Sequence, residues 1–74
     1  MEVRQYAVVI ENAGADGWAA YVPDLPGCTA GGVTREEALA NVRTSAELWI
    51  AHAKECGEPL PLPSTQAASL AIAV

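Results

Sequence analysis

Thr34-Arg35-Glu36-Glu37-Ala38-Leu39-Ala40-Asn41-Val42 carries a complete helix-start signal. A threonine side chain at the N-cap can accept a hydrogen bond from the backbone N–H three residues on. Glu37, at that position, can reach back to the opposite end of the same turn, the reciprocal arrangement of a capping box. Beyond it, Leu39, Val42, Ala46, Trp49, Ala53 and Cys56 recur at steps of three and four, which lays one apolar stripe along a helix. Lys54 falls in the last turn, where the helix dipole favours a cation, and Gly57 suits the left-handed residue that follows a helix end. The pattern predicts a helix over residues 35–56, about 33 Å long at 1.5 Å per residue. In a chain of 74 residues a helix of that length needs a sheet to lie on, and the rest of the sequence must supply it.

Upstream, residues 3–11 place Tyr6, Val8 and Ile10 on one parity and Ala7 and Val9 on the other. Neither face is polar, so this strand is expected to be covered twice, by the helix and by a neighbouring chain. Asn12-Ala13-Gly14-Ala15-Asp16-Gly17 reads as a hairpin loop. A second strand is expected over 18–22, ended by Pro23-Asp24-Leu25-Pro26-Gly27, and a third over 28–33. The pair Gly31-Gly32 in the third marks a bulge or a close approach of backbone. Downstream, Pro59, Pro61 and Pro63 impose an extended run. Leu70, Ile72 and Val74 then alternate with Ala71 and Ala73, predicting a closing strand over 69–74 that returns along the helix to the sheet. The order β-β-β-α-β describes an α+β two-layer sandwich: an antiparallel sheet, one long helix, and one sheet face left open. A single domain over 1–74 is expected, with no C-terminal DNA-binding domain.

Composition narrows the function. With 51% of residues apolar and 18% charged, the chain has the apolar surface to form a core and is not disordered. Phe is absent and Ala abundant, so that core is made of small pieces and a large substrate cavity is not expected. Surface scaling puts a folded chain of this mass near ~4,300 Å² of accessible area, burying only about three-fifths of the unfolded surface. Self-association would relieve that marginality, and a homo-oligomer is expected. Four bases against nine acids leave a net charge of −5, which argues against direct nucleic-acid binding and for a basic protein as partner. The start of the chain lacks a secretory pattern, and residues 67–74 fall far short of the ~20 needed to span a bilayer. A cytoplasmic protein with two free thiols and no membrane association is expected.

The residues that carry chemistry are sparse. His52 and Cys56 stand four apart on the helix and Cys28 could join them, but a zinc site wants about four ligands and small cysteines usually pack. No metal is expected. No serine or cysteine lies beside a base in a nucleophile motif, and Gly31-Gly32 lacks the spacing of a phosphate loop. Glu11, Asp24, Glu36 and Glu37 are the carboxylates that a metal-dependent nuclease would need clustered. Strand-end, turn and cap duties account for them more simply. No catalytic residue and no cofactor are expected. Leu25, between two prolines, reads equally as a preorganised apolar anchor for a partner or as a residue closing the core. Trp18 and Trp49 read as core.

Taken together, Tyr6-Ala7-Val8-Val9-Ile10-Glu11, Gly17-Trp18-Ala19-Ala20-Tyr21-Val22-Pro23-Asp24-Leu25-Pro26-Gly27-Cys28 and Gly32-Val33-Thr34-Arg35-Glu36-Glu37-Ala38-Leu39-Ala40-Asn41-Val42 resemble the HicB antitoxin family across essentially the whole chain. The resemblance implies a partly degraded ribonuclease-H-like fold. It also implies a type II toxin–antitoxin role, in which the protein binds and inhibits HicA, a small basic mRNA-cleaving toxin. Many members append a helix-turn-helix or ribbon-helix-helix domain that binds their own operator, and none is expected here. An acidic protein facing a basic toxin points to Glu11, Asp24, Glu36 and Glu37 as the charged part of the binding surface, with Leu25 as its apolar anchor. A solitary oligomeric interaction module and, behind it, a residual metal-dependent nuclease are the competing readings.

Overall fold

Thr34 caps the helix as its sequence dictates. Its Oγ1 accepts from the Glu37 backbone N–H at 3.1 Å, while the Glu37 carboxylate accepts from the Val33 N–H at 3.0 Å. In the computed structural model, which describes residues 2–74, this cap opens helix α1 (Arg35–Glu55). Cys56 is the C-cap and Gly57 follows at φ +69°, a left-handed conformation in which a Cβ would be strained.

Three strands form the sheet: β1 (Val9–Asn12), β2 (Trp18–Tyr21) and β3 (Thr29–Gly32), antiparallel in the order β1-β2-β3. Val9 stands opposite Tyr21 and Asn12 opposite Trp18; across the second pairing, Trp18 faces Gly32 and Tyr21 faces Thr29. The β1–β2 turn is a short 3-10 stretch at Gly14–Asp16 that begins with Gly14 and is followed by Gly17, both at positive φ. The strands are shorter than the sequence predicts. Residues 3–8 lie upstream of the β1–β2 pairing and have no ladder partner, because β2 ends at Tyr21 where Val22 and Pro23 turn away.

α1 packs chiefly on β3, less on β2 and least on β1. Gly32 makes the closest part of that packing possible: a Cβ there would lie 2.6 Å from the Ala38 nitrogen and 2.9 Å from the Glu37 Cβ. The Gly31-Gly32 pair is therefore a close backbone approach, one of its two expected readings. The core is made of small residues, with Ala20, Val22, Leu25, Cys28, Ala38 and Val42 buried in one cluster, and Trp18, Ile10, Ala46, Trp49 and Ile50 half-buried around it. The helix stripe is rotated slightly from its expected position. Ala38, Val42 and Ala53 face inward, whereas Leu39 is 37% exposed and Cys56 is exposed.

The expected closing strand does not form within the chain. Residues 66–74 carry no regular secondary structure and are exposed throughout, and the chain's own sheet stops at three strands. The physical reason lies upstream: residues 60–65 are held against the body by polar contacts, and the chain then leaves the body instead of turning back. Accordingly the radius of gyration is 14.1 Å, against about 11 Å for a compact chain of this length. The accessible surface is 5706 Å², well above the scaling value of ~4,300 Å². Among the described residues no helix is long and apolar enough to cross a membrane.

Candidate functional site

The five residues expected to form one partner-binding surface are split between the two ends of the sheet. Glu11 in β1 lies opposite Ala19, which lies opposite Gly31, so it shares an end of the sheet with the start of α1. Glu36 and Glu37 occupy the first turn of that helix, both exposed. One Glu37 oxygen is engaged by the Val33 N–H, and the only ion pair among the described residues is Arg4–Glu2. Glu11 and Glu36 therefore present unneutralised carboxylates on the same end of the domain.

Asp24 and Leu25 lie at the opposite end, in the loop joining β2 to β3. That loop is pinned to the far part of the helix by the Trp49 indole, whose Nε1 donates to the Pro26 carbonyl at 2.9 Å. Trp49 is about 21 Å along α1 from Arg35, so Asp24 cannot share a surface patch with the helix start. Leu25 is 1% exposed and is the largest fully buried side chain. The anchor expectation is corrected: Leu25 closes the core between β2, β3 and α1. Its own N–H bonds the Val22 carbonyl, and its carbonyl accepts from the Cys28 N–H, so the loop turns the side chain inward.

Asp24 performs a task that no single motif announced. Its Oδ2 accepts from the backbone N–H groups of Ser64 and Thr65 at 2.9 and 3.0 Å, and its Oδ1 from the two hydroxyls at 2.8 and 2.9 Å. Both oxygens are occupied within the chain. A second clamp works just upstream, where the Tyr6 hydroxyl donates to the Pro61 carbonyl at 2.5 Å and the Arg4 guanidinium donates to the Leu60 and Pro61 carbonyls. The signal for this clasp was the Ser-Thr pair directly after the last proline, two hydroxyls at the end of an extended run, but nothing local indicated where they would bind.

Backbone hydrogen bonds from Thr65 and then Ser64, followed by the Ser64 hydroxyl, hold the Asp24 carboxyl down at about 2 from its usual 3.8. A depressed carboxyl pKa contributes its stabilisation fully above the free value and loses it as pH falls through the folded one. The clasp is thus expected to be intact above about pH 4 and to open as pH falls through about 2. The Ser64 and Thr65 amide resonances should titrate with that midpoint. In Asp24→Asn they should not titrate, and they should exchange with solvent as fast as the amides of residues 66–69. Protected Ser64 and Thr65 amides in that variant would contradict the assignment.

Of the metal-ligand candidates, Cys56 Sγ lies 3.6 Å from His52 Nε2 on the exposed face of the helix, while Cys28 is buried in the core, where burial raises its thiol pKa. Among the described residues no three His, Cys, Asp or Glu side chains are placed to hold a metal ion.

A wide apolar groove of about 1140 Å³ runs between the flank of α1 and residues 2–8, floored by Val22 and Leu25. Its walls include Val8, Leu39, Val42 and Ile50, with Arg43, Glu47 and Lys54 along the rim. The sequence reading did not foresee it, because it exists only through the offset of the helix toward β3.

The fold and surfaces so described define a small acidic α+β domain: a three-stranded antiparallel sheet under one helix, with an extended C-terminal segment clasped to its loop end. The chain belongs to the HicB-like antitoxin family of bacterial toxin–antitoxin systems, whose family model matches residues 6–72. It is 33% identical over 60 residues to a UPF0150 protein of Synechocystis, covering 81% of this chain and 76% of the relative. It is likewise 33% identical over 57 residues to a UPF0150 protein of Thermoplasma acidophilum, covering 77% and 83% of the two chains. No solved structure matches the chain.

Proposed function

We propose that this protein is the antitoxin of a type II pair, that it binds a small basic HicA-like mRNA-cleaving toxin and blocks its access to RNA, and that its working form is a homo-oligomer in the cytoplasm. The family match over residues 6–72 carries the reading; the net charge of −5 supports it. A toxin that cleaves RNA presents a positive face to its substrate, and an acidic protein covering that face competes with the RNA directly. The charged part of the contact in this reading is the end of the domain that carries Glu11 on the sheet and Glu36 in the first turn of α1. Asp24 and Leu25 act indirectly, by shaping the loop end and holding the C-terminal segment. No step of catalysis is assigned to this chain, and no cofactor or nucleic acid is needed for its action.

Charge at a binding rim acts mainly on encounter. Glu11→Gln with Glu36→Gln is therefore expected to slow association with a cognate HicA-like toxin several-fold and to flatten the salt dependence of the on-rate, leaving dissociation near the parent's. Stopped-flow or biosensor kinetics across a salt series measure both. On-rates and salt slopes equal to the parent's would remove this surface from the proposal. Unimpeded RNA cleavage by the toxin in the presence of excess protein would remove the antitoxin reading itself.

A further inference from the structure

We propose that residues 66–74 of each copy form the fourth strand of a second copy's sheet, lying along residues 3–8 and the start of β1, with Leu70, Ile72 and Val74 in the partner's groove. The proposal rests on the homo-oligomer reading and stands apart from the toxin. Four observations converge on it. The segment alternates large and small apolar residues, and its large ones are exposed, Leu70 at 84% and Ile72 at 72%. After Thr65 it makes no hydrogen bond with its own body among the described residues. An exposed, unpaired segment of alternating apolar residues is suited to adding a strand to a sheet edge.

The receiving site is open on the matching side. The two edges of the sheet differ. The outward carbonyls of β3 are already taken, Gly31 by the Asn41 side chain at 2.8 Å and Thr29 by the Ser45 hydroxyl at 3.4 Å. β1 has a neighbour on one side only. Because α1 is set over β3 and β2, the space between the helix flank and residues 2–8, which lead into β1, is left as the apolar groove, walled by Val8, Leu39, Val42, Ala46 and Ile50. A strand added beside β1 puts one parity toward that groove and the other outward. Leu70, Ile72 and Val74 fit the first, and Ser69, Ala71 and Ala73 the second.

The clasp and the surface area favour exchange over folding back. Leu60 already lines the groove of its own chain, and Asp24 fixes Ser64 and Thr65 so that the chain departs from the loop end. The surface in excess of the scaling value, 5706 Å² against ~4,300 Å², is about 1,400 Å² per chain. Two copies burying that excess would remove about 2,800 Å², within the range of permanent dimers. Reciprocal exchange closes with two-fold symmetry.

Light scattering of the parent at micromolar concentration should give twice the 7.7 kDa chain mass. Ile72→Asp should give the single-chain mass with an unchanged helical circular-dichroism signal, since the replaced side chain is largely exposed in its own chain. Leu39→Asp, in the groove wall, should also be monomeric, and mixing the two variants should restore a dimer through one seated segment. A monomeric parent would overturn the homo-oligomer reading and the exchange together. A parent dimer that survives Ile72→Asp would overturn the exchange alone and place the interface on the opposite sheet face. Two variants that stay monomeric when mixed would also overturn it.

Discussion

Gly32→Ala is expected to cost about 3 kcal/mol or more, the upper end for forcing extra volume into a packed interior. The new Cβ would sit 2.6 Å from the Ala38 nitrogen and 2.9 Å from the Glu37 carbonyl carbon. These are backbone atoms in the first turn of α1, and they cannot rotate aside as a side chain could. Relief requires the helix start to lift from β3, which breaks the Thr34–Glu37 cap and the Val33 bond to Glu37 and opens the cluster around Ala38. A domain of this size has roughly 4–11 kcal/mol in total. With a urea slope of about 1 kcal/mol/M, the midpoint should fall by about 3 M, at a single chain concentration so that association is held constant. Gly31→Ala is the control. Its Cβ would meet only the Trp18 carbonyl oxygen at 3.3 Å, a contact that a shift of a few tenths of an ångström relieves. Equal midpoints for the two variants would show that the helix–sheet approach is softer than its geometry.

Leu25→Ala is expected to cost about 3–5 kcal/mol, toward the top of the range for buried leucine. Leu25 is the largest side chain buried to within 2%, and it packs in the cluster with Ala20, Val22, Cys28, Ala38 and Val42. Those neighbours are small and cannot swing in to fill the space. The loop cannot collapse either, because Pro23 and Pro26 fix its φ angles and the Trp49 indole holds the Pro26 carbonyl. Unfolding by urea should show a lowered midpoint with an unchanged slope. The alternative that the sequence left open predicts the opposite pattern, in which a surface anchor lost to alanine leaves the midpoint in place and speeds release of a bound partner.

The helix was legible almost to the residue because its signals are local. A cap, its Glu three positions on, an apolar period and a terminal glycine all act within one or two turns, and the observed Arg35–Glu55 differs from the expected 35–56 only at the frayed end. The three strands were legible in order and pairing, since the turns between them carry glycine and proline, but not in length. Where a strand stops depends on whether its neighbour is still there to bond. Residues 3–8 are as strand-like as Val9 and Ile10, yet β2 ends opposite Val9.

The candidate site was less legible. Glu11, Asp24, Leu25, Glu36 and Glu37 were grouped because each lies at the end of an element, and a sequence does not say which end faces which. The antiparallel register places Glu11 with the helix start and sends the 22–28 loop to the other end. The contacts of Asp24 with Ser64 and Thr65 span 40 and 41 residues, a separation at which no periodicity or turn preference operates. The family itself was legible, because the aromatic residues, the Val-Pro-Asp-Leu-Pro-Gly-Cys run and the Thr-Arg-Glu-Glu-Ala cap form one long string of local features.

By itself, then, the sequence determined the helix, the order of the first three strands and their antiparallel hairpins, the small-residue core, the acidity and the family, all of which arise from interactions among near neighbours or from composition alone. Only the tertiary structure decided that Leu25 faces inward, that Asp24 clasps the chain leaving the helix, that the carboxylates fall into two groups, and that residues 69–74 remain outside their own sheet. Each of those depends on where α1 comes to rest. Gly32 lets it settle against β3, away from residues 2–8, where the groove lies open.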